Sequence, residues 1–64
     1  MKVKNDKEQD ILYLSFRDEA VYESDEEKKD IILDYTATGQ IVGIEVLNAS
    51  RQVSNPTKLE YEVA

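Results

Sequence analysis

Ile31-Ile32-Leu33-Asp34-Tyr35-Thr36-Ala37-Thr38-Gly39-Gln40-Ile41-Val42-Gly43-Ile44-Glu45-Val46-Leu47 decides the fold. It holds two runs rich in β-branched and aromatic residues, separated by a polar loop ending in a glycine. That is the composition of two strands joined by a hairpin turn. Read as a four-residue loop, Thr36 to Gly39 gives Gly39 the positive φ that such a turn requires. Leu33 then faces Val42, and Ile31 faces Ile44. In the same register Gly43 stands opposite Ile32, Asp34 opposite Ile41 and Asp30 opposite Glu45.

Working outward, period-2 alternation continues toward the N-terminus. Met1 to Lys4 alternates Met1 and Val3 with two lysines, and Asp6 to Gln9 reads as a tight turn capped by Asp6. Ile11 to Phe16 is a strand, followed by the charged turn Arg17-Asp18-Glu19, and Ala20 to Ser24 is another. A three-residue loop over 17–19 sets Phe16 against Ala20 and Leu14 against Tyr22. A four-residue loop Glu26 to Lys29 sets Tyr22 against Leu33. All three turns then place Val3, Leu12, Leu14, Phe16, Ala20, Tyr22, Ile31, Leu33, Val42, Ile44 and Val46 on one face. The expected fold is mainly β, α+β at most: a curled antiparallel meander of about five strands over residues 1–51.

The extension 52–64 follows a helical turn. Asn48 is a suitable N-cap for a short helix from Ala49 to Val53, which Pro56 closes off. Leu59, Tyr61 and Val63 then alternate like a sixth strand, able to complete this sheet or to join the edge of a neighbour's.

The opposite face carries Ile11, Tyr13, Val21, Ile32, Ile41 and Leu47 among Ser15, Glu23, Asp34 and Glu45. A sheet with one solvated face would show polar residues there, and an apolar patch of this extent marks a contact. The expected interface comprises Ile11, Tyr13, Val21, Ile32, Ile41, Glu45 and Leu47, with Leu59, Tyr61 and Val63 from the terminal strand. Glu45 is its unusual member, since a carboxylate among aliphatic residues is costly unless paired. A chain of 64 residues also gains from oligomerisation, because it buries a small fraction of its surface alone. A homodimer is the expectation.

Composition narrows the function. Without cysteine or histidine the chain has no disulfide, thiolate zinc site, thiol nucleophile or imidazole base. The net charge of −6 argues against direct binding to nucleic acid or an anionic membrane. A basic partner protein suits it better, and seven acids between Asp18 and Asp30 supply a surface for one. No run is long enough to span a bilayer and no signal-peptide core follows Met1, so the cytoplasm is the expected compartment. No catalytic, cofactor or metal site is assigned and no enzyme activity is expected. The alternative is a small-ligand or divalent-cation-binding domain with Asp34 and Glu45 at the mouth of a half-barrel, although no Asp-rich loop accompanies them.

Two segments resemble a known family. Asp6 and Asp10 before Ile11-Leu12-Tyr13-Leu14-Ser15-Phe16 look like the D-x-x-x-D and following strand of domain-of-unknown-function family 2283. Ile31 to Ser50 is similar to that family's I-L-D-Y-D-x-x-G-x-I-V-G-I-E-I-L-x-A-S segment almost throughout. The resemblance covers residues 1–51 and implies a small prokaryotic protein, uncharacterised in role. Proximity of some members to toxin-like genes implies, by association alone, an antitoxin or accessory role.

Overall fold

Alternating side chains in β1 (Lys2–Asp6), β2 (Ile11–Ser15), β4 (Ile31–Tyr35) and β5 (Ile41–Leu47) form strands where the sequence places them. A computed structural model describes all of residues 1–64. It adds β3 (Glu23–Lys28) and a single helical turn, α1 (Ala49–Gln52), to make one five-stranded antiparallel open sheet. No helix is long and apolar enough to cross a membrane.

The strand order is β1-β2-β5-β4-β3, which departs from a consecutive meander. β2 pairs with β5, not with β3: Leu12 stands opposite Val46 and Leu14 opposite Ile44. The expected hairpin over Arg17 to Glu19 therefore does not form. Phe16 to Tyr22 instead crosses the end of the sheet, and β3 starts at Glu23 rather than Ala20. The crossover must clear three strand spacings, about 14 Å, which seven residues reach easily at roughly 3.3 Å each. Phe16 N donates to Val42 O (2.7 Å) and Tyr22 N to Tyr35 O (2.8 Å), pinning its two ends. Arg17 Nη1 donates to Gln40 Oε1 at 2.6 Å beside the β4–β5 loop.

The β4–β5 hairpin keeps its Gly39 turn, with φ of 87°, but not the expected register. Tyr35 stands opposite Ile41, one residue from expectation, and a bulge follows. Beyond it Leu33 faces Ile44, Ile31 faces Val46, Ile32 faces Glu45 and Asp34 faces Gly43, two residues from expectation. A shift of two preserves the face of every side chain, whereas a shift of one inverts it. Leu33, Ile44 and Val46 thus keep their side, and Ile41 moves to it.

The β3–β4 turn is also tighter than the four-residue loop expected. Lys28 pairs with Ile31 across Lys29-Asp30, with Asp30 at a φ of 67°. Register is offset by three residues, so Glu23 and Ser24 exchange faces relative to expectation: Ser24 now stands opposite Asp34.

The first face, with Leu12, Leu14, Leu33, Ile44 and Val46, receives the C-terminal segment near β1. Asn5 Nδ2 donates to Pro56 O at 3.2 Å, and Val3, Asn5, Pro56 and Leu59 line one cleft. Residues 59–63 form no sixth strand, and Leu59, Tyr61 and Val63 are exposed. Only Val42, Val46 and Ala49 are buried apolar residues, and no large side chain is fully enclosed. A single layer cannot bury both of its faces.

Asn48 does not cap α1 through its side chain. It adopts a left-handed φ of 51°, and its Nδ2 donates to Asp30 Oδ2 at 3.1 Å. The cap comes from Asp10, at the end of the β1–β2 turn. Its Oδ1 accepts from Ser50 N (3.0 Å), its Oδ2 from Ser50 Oγ (2.6 Å), and its carbonyl from Ala49 N (2.9 Å). Two aspartates with positive φ, Asp10 and Asp30, thereby grip the helical turn from both sides.

Candidate functional site

The second face is built from half-buried Ile11 and Tyr13 on β2, half-buried Ile32 and buried Asp34 on β4, and half-buried Glu45 and Leu47 on β5. Pairing aligns them in rows: Ile11 with Leu47, Tyr13 with Glu45, and Glu45 with Ile32. Of the ten residues expected at an interface, Ile11, Tyr13, Ile32, Glu45 and Leu47 share this face. Val21 lies in the crossover, Ile41 on the other side, and Leu59, Tyr61 and Val63 in the tail.

Asp34 is the most buried carboxylate, 3% exposed. Ser24 Oγ donates to its Oδ1 at 2.5 Å. Glu45 is half-buried beside it, and burial first, then the adjacent Asp34 carboxyl, pushes the Glu45 carboxyl above its usual range. The Tyr13 phenol is likewise raised, first by burial and then by the Asp34 charge. The tyrosine ring lies over Gly43, where a side chain would collide with it. Gly43 is thus a site of close approach, as its lack of a side chain suggests, but the approaching group is Tyr13 of the same sheet.

Lys4 and Asp6 on β1 share a shallow hollow with Ile11, Tyr13 and Glu45. Lys4 makes no ion pair with Glu45; the two ion pairs in the molecule are Arg17–Glu19 (3.5 Å) and Lys58–Glu60 (3.2 Å). Nowhere do three or more Asp or Glu side chains gather in a group able to hold a metal ion. Asp34 and Glu45 occupy the middle of an open sheet face and not the mouth of a half-barrel, and Asp34 already holds Ser24. Sequence reasoning placed neither Ser24 nor Lys4 here: Ser24 sits in a strand with no apolar residue to fix its face, and Lys4 in the edge strand.

The family model for proteins of unknown function, DUF2283, matches residues 2–50. The chain belongs to this family. No curated protein and no solved structure matches it. Asp10 and Ser50, both within the matched DUF2283 segment, meet in space at the clasp, so residues that carry the resemblance also close the fold. The family's description assigns no activity.

Proposed function

We propose that this protein is a non-enzymatic interaction module that self-associates, two copies packing through the face of Ile11, Tyr13, Ile32 and Leu47. The observation that carries this reading is the surplus of surface. The accessible area is 5173 Å² for a mass of 7.4 kDa, against about 4,200 Å² for a typical folded monomer of that size. The excess, roughly 1,000 Å², is shared with the tail, whose Leu59, Tyr61 and Val63 are exposed, and it is of the order of the ~800 Å² that each partner contributes to a standard interface. The chain's own tail leaves this face open, because it runs over the opposite side beside Asn5. A second copy supplies the missing layer.

Light scattering with mass detection tests the reading. The mass rises from 7.4 kDa toward twice that value as concentration increases. Ile32→Glu holds it at the monomer value while the circular dichroism of the sheet is retained. A wild-type monomer at every concentration up to about 1 mM, a range that captures even weak association, would overturn it.

The edge strand β3 supports a second contact, with a basic partner protein. All six of its residues are exposed, and four of them, Glu23, Asp25, Glu26 and Glu27, are acidic. An antitoxin-like or accessory role would use this surface.

A further inference from the structure

We infer that the free edge of β1 receives the C-terminal segment of a second copy, Lys58 to Glu62 adding antiparallel to Lys2 to Asp6 as a sixth strand. This goes beyond the face contact just proposed and stands without it. β1 is an edge strand, bonded to β2 on one side only. Lys2, Lys4 and Asp6 share the face of Ile11 and Tyr13, while Val3 and Asn5 share that of Leu12 and Leu14. Lysines on an edge ordinarily keep other strands away. A strand with acids at the same spacing turns that guard into recognition.

The tail is such a strand. With Lys4 opposite Glu60, Lys2 stands opposite Glu62 and Asp6 opposite Lys58, so three pairs of opposite charge fall on one face. The same register sets Val3 opposite Tyr61 and Met1 opposite Val63 on the other face. A slip of two residues sets Lys4 against Lys58 in one direction and Asp6 against Glu60 in the other. A slip of one sets the charged residues against apolar ones. The Lys58–Glu60 ion pair, at 3.2 Å, places both side chains on one side of the tail, as this alternation requires. The apolar side chains covered by the pairing are exposed in the single chain: Val3 by 40%, Tyr61 by 78% and Val63 by 79%.

The chain's own tail does not fill this edge. Pro56 O accepts from Asn5 Nδ2, and Lys58 N donates back to Asn55 O at 3.1 Å in a turn. Beyond that turn residues 59–63 stay unpaired and exposed. One copy therefore offers both an unpaired strand and an open edge that fits it. Exchange between two copies is reciprocal, each giving one tail and receiving one, which closes the assembly at two.

Disulfide trapping tests this, since the chain has no cysteine of its own. Full-length Val3→Cys and Tyr61→Cys copies are mixed in a glutathione redox buffer, both carrying Ile32→Glu so that the face contact is absent. The opposed positions are expected to yield a mixed disulfide between copies. Glu60→Lys with Glu62→Lys on the Tyr61→Cys copy lowers the yield about tenfold, as two charge pairs turn from attraction to repulsion. Those changes make the copy less acidic, so general repulsion alone would raise the yield. Lys2→Glu with Lys4→Glu on the Val3→Cys copy restores it. A yield indifferent to these reversals overturns the exchange. So does a chain carrying both cysteines that closes on itself without joining a second copy, which would make its own tail the occupant. Trapping together with a wild type that scatters as a monomer overturns the face contact alone, and a scattering dimer without trapping overturns the exchange alone.

Discussion

Tyr13 lies across Gly43 so closely that a Cβ on Gly43 would stand 2.8 Å from the phenol oxygen and 2.5 Å from the Leu14 carbonyl oxygen. One neighbour is the end of a side chain and the other is backbone of the adjacent strand. Gly43→Ala is therefore expected to lose about 1–3 kcal/mol, the usual range for overpacking, read as a lower urea midpoint. Adding Tyr13→Ala restores only part of the loss, because the Leu14 carbonyl cannot move without breaking the β2–β5 ladder.

Ser24→Ala takes away the hydroxyl that donates to Asp34 Oδ1. A buried acceptor deprived of a partner costs roughly 1–3 kcal/mol. Chemical denaturation of the variant is expected to show a loss within that range. Ser24→Thr, which keeps the hydroxyl, loses less.

At the clasp, Asp10 needs both its carboxylate and its φ of 57°. Asp10→Asn retains an acceptor and a tolerated left-handed conformation. Asp10→Gly retains only the conformation, and Asp10→Ala retains neither. Thermal stability should fall in that order, with the alanine variant losing about 1–2 kcal/mol from the cap alone. An alanine variant as stable as the asparagine one would show that the clasp contributes nothing.

Glu45 gives the single chain a pH dependence of defined sign. Its carboxyl holds a proton in the folded chain at pH values where the unfolded chain, titrating near 4.5, has lost it. The folded state then binds more protons, and this residue's effect on stability becomes more favourable as pH falls through that window. At pH 7 the charged, partly buried group weakens the fold. Glu45→Gln is expected to be more stable than the wild type at pH 7, with the gap narrowing toward pH 4.5. Denaturation at low micromolar concentration separates this from self-association.

The strands β2, β4 and β5 were legible because their apolar residues alternate, and alternation reports a face directly. It reports register only to within an even number of residues. Leu33 and Ile44 were accordingly assigned the right side with the wrong partners, while Ile41, displaced by one at the bulge, was assigned the wrong side. Glu23 to Lys28 contains no apolar residue, so nothing in its pattern distinguishes its faces or its neighbour. The agreement among three assumed turns rested on parity, which a false hairpin satisfies as readily as a true one. Tyr13, Ile32 and Glu45 were legible as members of one face. The seating of Ser24 under Asp34 depends on a turn whose tightness comes from Asp30 adopting a positive φ, which the sequence does not announce.

The pairing of β2 with β5 also sets an order of assembly. β3, β4 and β5 follow one another through short turns and can zip together from local contacts, whereas β2 must find β5 across some thirty intervening residues. Closing so distant a pair is the slow entropic step in a sheet. Until the β1–β2 hairpin arrives, β5, rich in Ile and Val, is an open edge of the kind that recruits strands from other chains. The Asp10–Ser50 clasp forms only when that hairpin has docked, and so works as a latch: it holds shut the edge through which a half-folded chain would aggregate.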